Sequence, residues 1–281
     1  MFQSRQAVRM PGSARERWGI LAKVIRRRQE EGTMPGTKRT FHNYSLLSWG
    51  EEGAGGWRRV GHGGVEAEVR LAPSTSPSLT DLIGFNNTGN VCVWPSEECL
   101  AVYCLARRQQ LAGLRVLEVG GGMAAIAGLL LAATGLPAAV TLTDGNATSV
   151  ESLEAVVERV TEGTKIMSPL SAGLLRWDDA AQVEAHRGQF DLILSADCVF
   201  FGSQLAAAMA AMLAPGGEAL VMAPAREGTL HTFHAEARRH FGSVEEVERY
   251  SPQVWKAHEA CVGLQDYTED IHYPRLLRCS L

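Results

Sequence analysis

An apolar strand that ends in an acid and runs straight into three glycines constrains this chain more than any other feature. The stretch reads Leu117-Glu118-Val119-Gly120-Gly121-Gly122, and Thr143-Asp144-Gly145-Asn146 follows about 20 residues later. Residues 114–119 predict one strand and 138–143 a second, with a helical segment between them. The unit is therefore strand–loop–helix–strand, with a carboxylate at each strand tip. Glycines let a backbone approach a ligand closely. A carboxylate about 20 residues beyond such a loop is where a ribose hydroxyl pair is held. The pattern points to a nucleoside-containing cofactor.

The dinucleotide fingerprint G-x-G-x-x-G/A is met by Gly120, Gly122 and Ala125, which leaves a nicotinamide-dependent dehydrogenase open. Glu118 tilts the choice. A pyrophosphate beside that carboxylate is repelled, whereas the ammonium and sulfonium of S-adenosylmethionine suit a carboxylate-rimmed loop. S-adenosylmethionine is the expected cofactor.

The chain has 281 residues and is 46% apolar, enough for one substantial core plus an extension. Its net charge of −4 is unevenly spread. Residues 1–40 hold ten Lys/Arg and three Asp/Glu, a net of +7, which leaves −11 for the rest. The six cysteines form no CxxC pair and no zinc-like spacing, so no metal is expected and the compartment is a reducing one. No apolar run reaches membrane-span length, and no membrane partner is expected. Residues 1–14 carry Arg5 and Arg9 and no acid, a weak likeness to a transit peptide. The cytoplasm is the default location, with the nucleus and an organelle as alternatives.

An N-terminal α+β extension is expected over 1–85: a disordered stretch at 1–14, a basic helix over about 15–31, and short strands at 41–49 and 57–69 around a glycine-rich turn at 53–56. A linker follows at 73–78. From residue 86 the pattern becomes alternating α/β. Helices are expected near 97–110, 122–134, 146–160, 202–214 and 228–240. Seven strands are expected near 114–119, 138–143, 170–176, 190–196, 217–223, 243–250 and 275–281. Strands alternating with helices imply a Rossmann-like, mostly parallel sheet covered on both faces. Ligands bind such sheets beyond the C-terminal strand ends, where strand order reverses. Glu118, Asp144, Trp177 and Asp197 all fall at those ends.

Each candidate has a plain structural reading as well. Trp94-Pro95-Ser96 reads as a packed Trp with Ser96 as helix N-cap, or as a loop closing over the cofactor. Asp144 reads as a cap for the helix beginning near Asn146, or as the ribose ligand. Trp177 is core, or the apolar neighbour of an adenine. Asp197 caps the next helix, or lies with Phe200 at the methyl acceptor, where a carboxylate orients an amine and a ring holds its cationic forms. His272-Tyr273-Pro274, ahead of the last strand, reads as structural, and Arg26-Arg27-Arg28 as a solvated helix end or a docking patch.

Taken together, Trp94-Pro95-Ser96-Glu97-Glu98, the Leu117–Met123 loop, Leu142-Thr143-Asp144-Gly145-Asn146, Leu175-Arg176-Trp177-Asp178 and Ala196-Asp197-Cys198-Val199-Phe200 resemble the seven-stranded class I protein-lysine methyltransferases. Within that family the Gly-Gly-Gly-Met loop, the Thr-Asp-Gly-Asn tip and His272-Tyr273-Pro274 are most similar to the branch that methylates calmodulin. The likeness covers about 15–281, outside the glycine-rich stretch at 50–64. It implies S-adenosylmethionine contacts at Trp94, Gly120, Gly122, Asp144, Trp177 and Ala196. Glu118, Gly121 and Asn146, in the same motifs, complete the cofactor set. It places Asp197 and Phe200 at the substrate lysine, with calmodulin as partner and methylation up to the trimethyl form. Many relatives carry Tyr at the last motif position, so Phe200 acts there without a hydroxyl.

Other readings are a lysine methyltransferase for a chaperone or elongation factor, and a non-catalytic binding module on the same fold. The Asn-Pro-Pro-Tyr and Asp-Pro-Pro-Tyr motifs of nucleic-acid amino-methyltransferases are absent, so no nucleic acid is expected. A monomer is expected.

Overall fold

The computed structural model describes residues 44–71, 93–161, 167–265 and 267–281. The expectations for 1–14, the basic helix, the 73–78 linker and the division near residue 85 lie outside the described residues.

Three short strands come first: β1 (Ser48–Trp49), β2 (Trp57–His62) and β3 (Val65–Arg70), an antiparallel sheet in the order β1-β2-β3. The single strand expected over 57–69 is thus a hairpin that turns at Gly63-Gly64. Then follow α1 (Pro95–Ala106), β4 (Arg115–Val119), α2 (Ile126–Ala132), β5 (Ala139–Asp144), α3 (Ala147–Thr161), β6 (Leu170–Leu174), α4 (Ala180–Ala185) and β7 (Phe190–Ala196). The chain continues through α5 (Gly202–Met212), β8 (Leu213–Pro224), α6 (Thr229–Ala237), β9 (Ser243–Val247), α7 (Pro252–Cys261), α8 (Glu269–His272) and β10 (Pro274–Ser280).

The main sheet has the seven strands that the alternating pattern predicts, and they lie in the order β6-β5-β4-β7-β8-β10-β9. All neighbours pair in parallel except β10, which lies antiparallel between β8 and β9. The order reverses between β4 and β7, so the ligand crevice of such a sheet falls beyond Val119 and Ala196. Central strands must be apolar on both faces. Leu117, Val119, Ile193 and Val221 are buried on one face, and Val116, Leu192, Leu194 and Met222 on the other.

The small sheet packs on the second of these faces. Val60, Ala67 and Val69 share one core with α1, α2 and the main sheet. Glu98 on α1 ties down the strand leading into β1, accepting from the amides of Tyr44 (2.7 Å), Leu46 (2.5 Å) and Leu47 (3.0 Å). A buried carboxylate with three amide donors satisfies itself and them together. No helix among the described residues is long and apolar enough to cross a membrane.

Two boundaries shift because of backbone geometry. The helix expected from 122 begins at Ile126, because Gly120, Gly122 and Ala125 all have positive φ (67°, 59° and 41°) and keep 120–125 a loop. Strand β8 begins at Leu213 and runs through the expected turn at Pro215-Gly216-Gly217, with a register shift opposite Phe190/Leu192.

Candidate active site

The glycine loop fits its surroundings only as glycine. A Cβ on Gly120 would lie 2.4 Å from Cys198 Sγ and 3.1 Å from Trp177 Cζ2, and its φ of 67° is one that side-chain-bearing residues seldom adopt. A Cβ on Gly121 would lie 2.6 Å from that of Ala125. The loop is therefore pressed between the tip of β7 and the Trp that follows β6. Trp177 is half-buried and packs against the core beneath the loop.

Asp144 holds the loop from the β5 side. Its carboxylate accepts from the amides of Gly122 (2.8 Å) and Asn146 (2.8 Å). Burial pushes its pKa up, and these amide bonds pull it back. The capping of α3 falls to Asn146, whose Oδ1 accepts from Thr148 (2.8 Å) and Ser149 (3.3 Å). Asp144 is thus the loop's anchor, and Asn146 is the cap.

Glu118 lies beneath the loop. It is 1% exposed, and its carboxylate accepts from the amide of Gly128 at 2.6 Å. Glu97 on α1 accepts from Ile126 at 3.0 Å. A helix leaves its first amides unsatisfied, and the residue preceding α2, Ala125, has no side chain to cap them. Two carboxylates from other elements do so instead. Burial raises Glu97 to about 7. Burial, and then the neighbouring Glu97, raise Glu118 to about 8.

Trp94, and not Ser96, immediately precedes α1, which opens with Pro95 at its first position. Ser96 is buried inside the helix. Proline is well placed there because its missing N–H is not needed. Ala196 closes β7, level with Met222 on β8.

Beyond Ala196 the tips of β7 and β8 are joined by an ion pair. Arg226 donates from Nη1 to Asp197 Oδ1 and from Nη2 to Oδ2, both at 2.6 Å. The guanidinium carbon is 5.4 Å from the ring centroids of both Trp94 and Phe200. Asp197, Arg226 and Glu227 all have positive φ (59°, 40° and 51°). Such conformations in non-glycine residues persist only where surrounding structure enforces them, and they cluster at functional sites. Here Asp197 N–H bonds Met222 O (2.8 Å), Arg226 N–H bonds Asp270 O (2.8 Å), and Glu227 N–H bonds Asp270 Oδ2 (2.9 Å).

One rim therefore gathers the glycine loop, Asp144, Trp177, Ala196, Asp197, Phe200 and Trp94. Sequence reasoning missed three residues. Arg226 follows the tip of β8, so the strand-end rule that selected Asp197 points to it too. Glu97 is, with Glu98, one of two buried acids in the first turn of the otherwise largely apolar α1. Cys198 packs its thiol against the carbonyls of Ala196 (3.2 Å) and Gly120 (3.7 Å), and burial raises its pKa. His272 and Tyr273 are structural, as read. His272 bonds the backbone of Thr268, and Tyr273 is buried with its hydroxyl donating to Glu248 O.

The site suits S-adenosylmethionine. The backbone at Gly120 and Gly121 is close-packed without a side chain, the Asp144 carboxylate stands at the β5 tip, and an indole flanks the loop. Among the described residues no cluster of His, Cys, Asp or Glu has metal-binding geometry.

Comparison with known proteins agrees. A family model described as lysine methyltransferase matches residues 81–238. A calmodulin-lysine N-methyltransferase of Arabidopsis thaliana is 32% identical over 214 residues, 72% of this chain and 68% of that protein. A putative SAM-dependent methyltransferase from Streptococcus mutans shares the fold, with a TM-score of 0.52 at 16% identity over 82% of this chain and 56% of that one. The chain belongs to the lysine methyltransferase family, and it is an S-adenosylmethionine-dependent protein-lysine N-methyltransferase.

Proposed function

We propose that this enzyme methylates a lysine of calmodulin, up to the trimethyl form, with the cofactor at the glycine loop and the lysine at the Asp197–Phe200 end of the rim. The observation that carries the site assignment is the convergence of Gly120, Asp144, Trp177 and Asp197 where strand order reverses. The similarity to the Arabidopsis enzyme supports the substrate.

Bound at the glycine loop, S-adenosylmethionine would supply an electrophilic methyl group for the lysine nitrogen. The chain's own residues divide the remaining work. Gly120, Gly121 and Gly122 provide backbone approach, Asp144 fixes the loop, and Asp144 and Asn146 face the ribose. Trp177 and Ala196 wall the adenine side, Trp94 covers the rim, and Glu118 acts from below by holding the start of α2. Asp197 and Phe200 position the amine, which must arrive neutral although its ordinary pKa is about 10.4. Positioning alone removes much of the barrier to such a displacement. Phe200 has no hydroxyl, so a methylated amine meets a ring there and not a hydrogen-bonding group, which accommodates further methylation.

The test is transfer of labelled methyl from S-adenosylmethionine to unmethylated calmodulin, with Asp144→Ala as control. Label that disappears in the variant supports both substrate and site. Label on other proteins of a lysate but not on calmodulin discards the substrate. Normal cofactor binding by Asp144→Ala refutes its ribose role.

A further inference from the structure

We propose that Arg226 is a positioning residue that keeps Asp197 from holding the incoming lysine in its protonated form, so that the amine docks neutral beside Phe200. This rests on the acceptor reading above. It alters the part Asp197 plays: the carboxylate does not meet the substrate as a bare anion, because both its oxygens are already engaged by the guanidinium fork.

The geometry makes this a built pair. The side chain of Asp197 is 6% exposed and that of Arg226 19%. The guanidinium sits near two aromatic rings, and both partners hang on left-handed backbone fixed by Met222 and Asp270. Bidentate charge-assisted bonds of this kind fix orientation as well as charge.

Methyl transfer needs a free lone pair on the lysine nitrogen. A nucleophilic amine must have lost its proton, and the nitrogen's lone pair forms the new bond. A buried, unpaired carboxylate within reach would bind the ammonium form and raise the lysine pKa by about 1–3 pH units. Paired with Arg226, Asp197 still offers lone pairs to an N–H but contributes no net charge. The guanidinium's own charge then disfavours a second cation beside it.

The other ionisable groups around the pair cannot do this. Asp270 of α8 and Glu227 flank Arg226. Cys198 shares the β7 tip, and its thiol feels Asp144, Asp197 and Glu118. Glu97 lies on α1 behind Trp94. None of these can carry a positive charge, so among them only Arg226 can disfavour the ammonium form of a nearby lysine.

The experiment compares wild type with Arg226→Gln, Arg226→Lys, Asp197→Asn, Phe200→Ala and the Arg226→Gln/Asp197→Asn double variant, using the protein that takes label in the assay above. Cofactor affinity serves as the folding check, and kcat and KM are measured from pH 7 to 9.5. Arg226→Gln should lose about tenfold or more in kcat at pH 7. Its cofactor affinity should be unchanged, and the deficit should shrink steadily as pH rises. Arg226→Lys should retain more activity at pH 7. The double variant should move the profile back toward wild type. Calorimetry in buffers of different ionisation heat should show fewer protons released on substrate binding by Arg226→Gln than by wild type. A deficit constant across the pH range with unchanged proton release would overturn the proposal and make Arg226 merely structural. Full activity at every pH in Phe200→Ala, Asp197→Asn and Arg226→Gln alike would overturn it in a different way, by showing that the acceptor lies elsewhere.

Discussion

Gly120→Ala is the sharpest test of the idea that the loop is shaped by contact from both sides. Two costs can be separated. Holding alanine at φ 67° costs about 1–2 kcal/mol, because its Cβ crowds the carbonyl in that conformation. Forcing a Cβ to within 2.4 Å of Cys198 Sγ is overpacking of a filled site, about 1–3 kcal/mol, with Trp177 Cζ2 at 3.1 Å blocking retreat. Together the variant should lose about 2–5 kcal/mol in urea unfolding. It should also bind S-adenosylmethionine weakly or not at all. Cys198→Ala removes the sulfur and with it the closest contact. In the double variant the steric part should return and the backbone part remain. The two substitutions should therefore couple by at least about 1 kcal/mol in a double-mutant cycle. Additivity within about 0.5 kcal/mol would refute the reasoning, since the sulfur would then play no part in excluding a side chain at Gly120.

Two further outcomes are expected. Glu118 is raised to about 8 by burial and then by Glu97. A carboxyl raised in the fold contributes stability that is complete below its unfolded value near 4.5 and lost as pH rises toward about 8. Glu118→Gln should flatten this decline, gaining on wild type by up to about 5 kcal/mol between those limits at ~1.4 kcal/mol per pH unit. Parallel unfolding curves for the two proteins at pH 5 and 8.5 would show that Glu118 does not titrate there. Separately, deleting residues 1–40, net +7, should weaken methylation of an acidic substrate at low salt more than it weakens cofactor binding. Equal loss of both, measured by KM against cofactor affinity, would assign that segment to the fold.

How far the sequence discloses this site depends on whether the controlling interaction is local. Val116, Leu117 and Val119 disclose a buried strand because burial on both faces leaves an apolar run. Asp144 discloses itself because its partner, the glycine loop, belongs to the same strand–loop–helix–strand unit. Helix α7 is equally local, with Ser251 accepting from Val254 and Pro252 at the first position, but its mixed polar and apolar composition hid it. The partners of Arg226 and Glu97 could not be read this way. Arg226 meets Asp197 across 29 residues and Glu97 meets Ile126 across 29, and nothing in spacing marks either pair. The hairpin at Gly63-Gly64 was missed because Val60, Ala67 and Val69 read together as one interrupted strand.

The antiparallel placement of β10 has a consequence for how the sheet comes into being. Among the described residues strand β9 has no neighbour in the sheet except β10, and β10 lies between it and β8. Although β9 is made first, it has nowhere to attach until residues 274–280 have left the ribosome. Until then the edge of β8 stands open along Leu220, Val221 and Met222, the kind of apolar edge that recruits strands from other molecules. A nascent chain stalled, or cut, ahead of residue 274 would therefore lose two strands rather than one, and would present that bare edge to its neighbours.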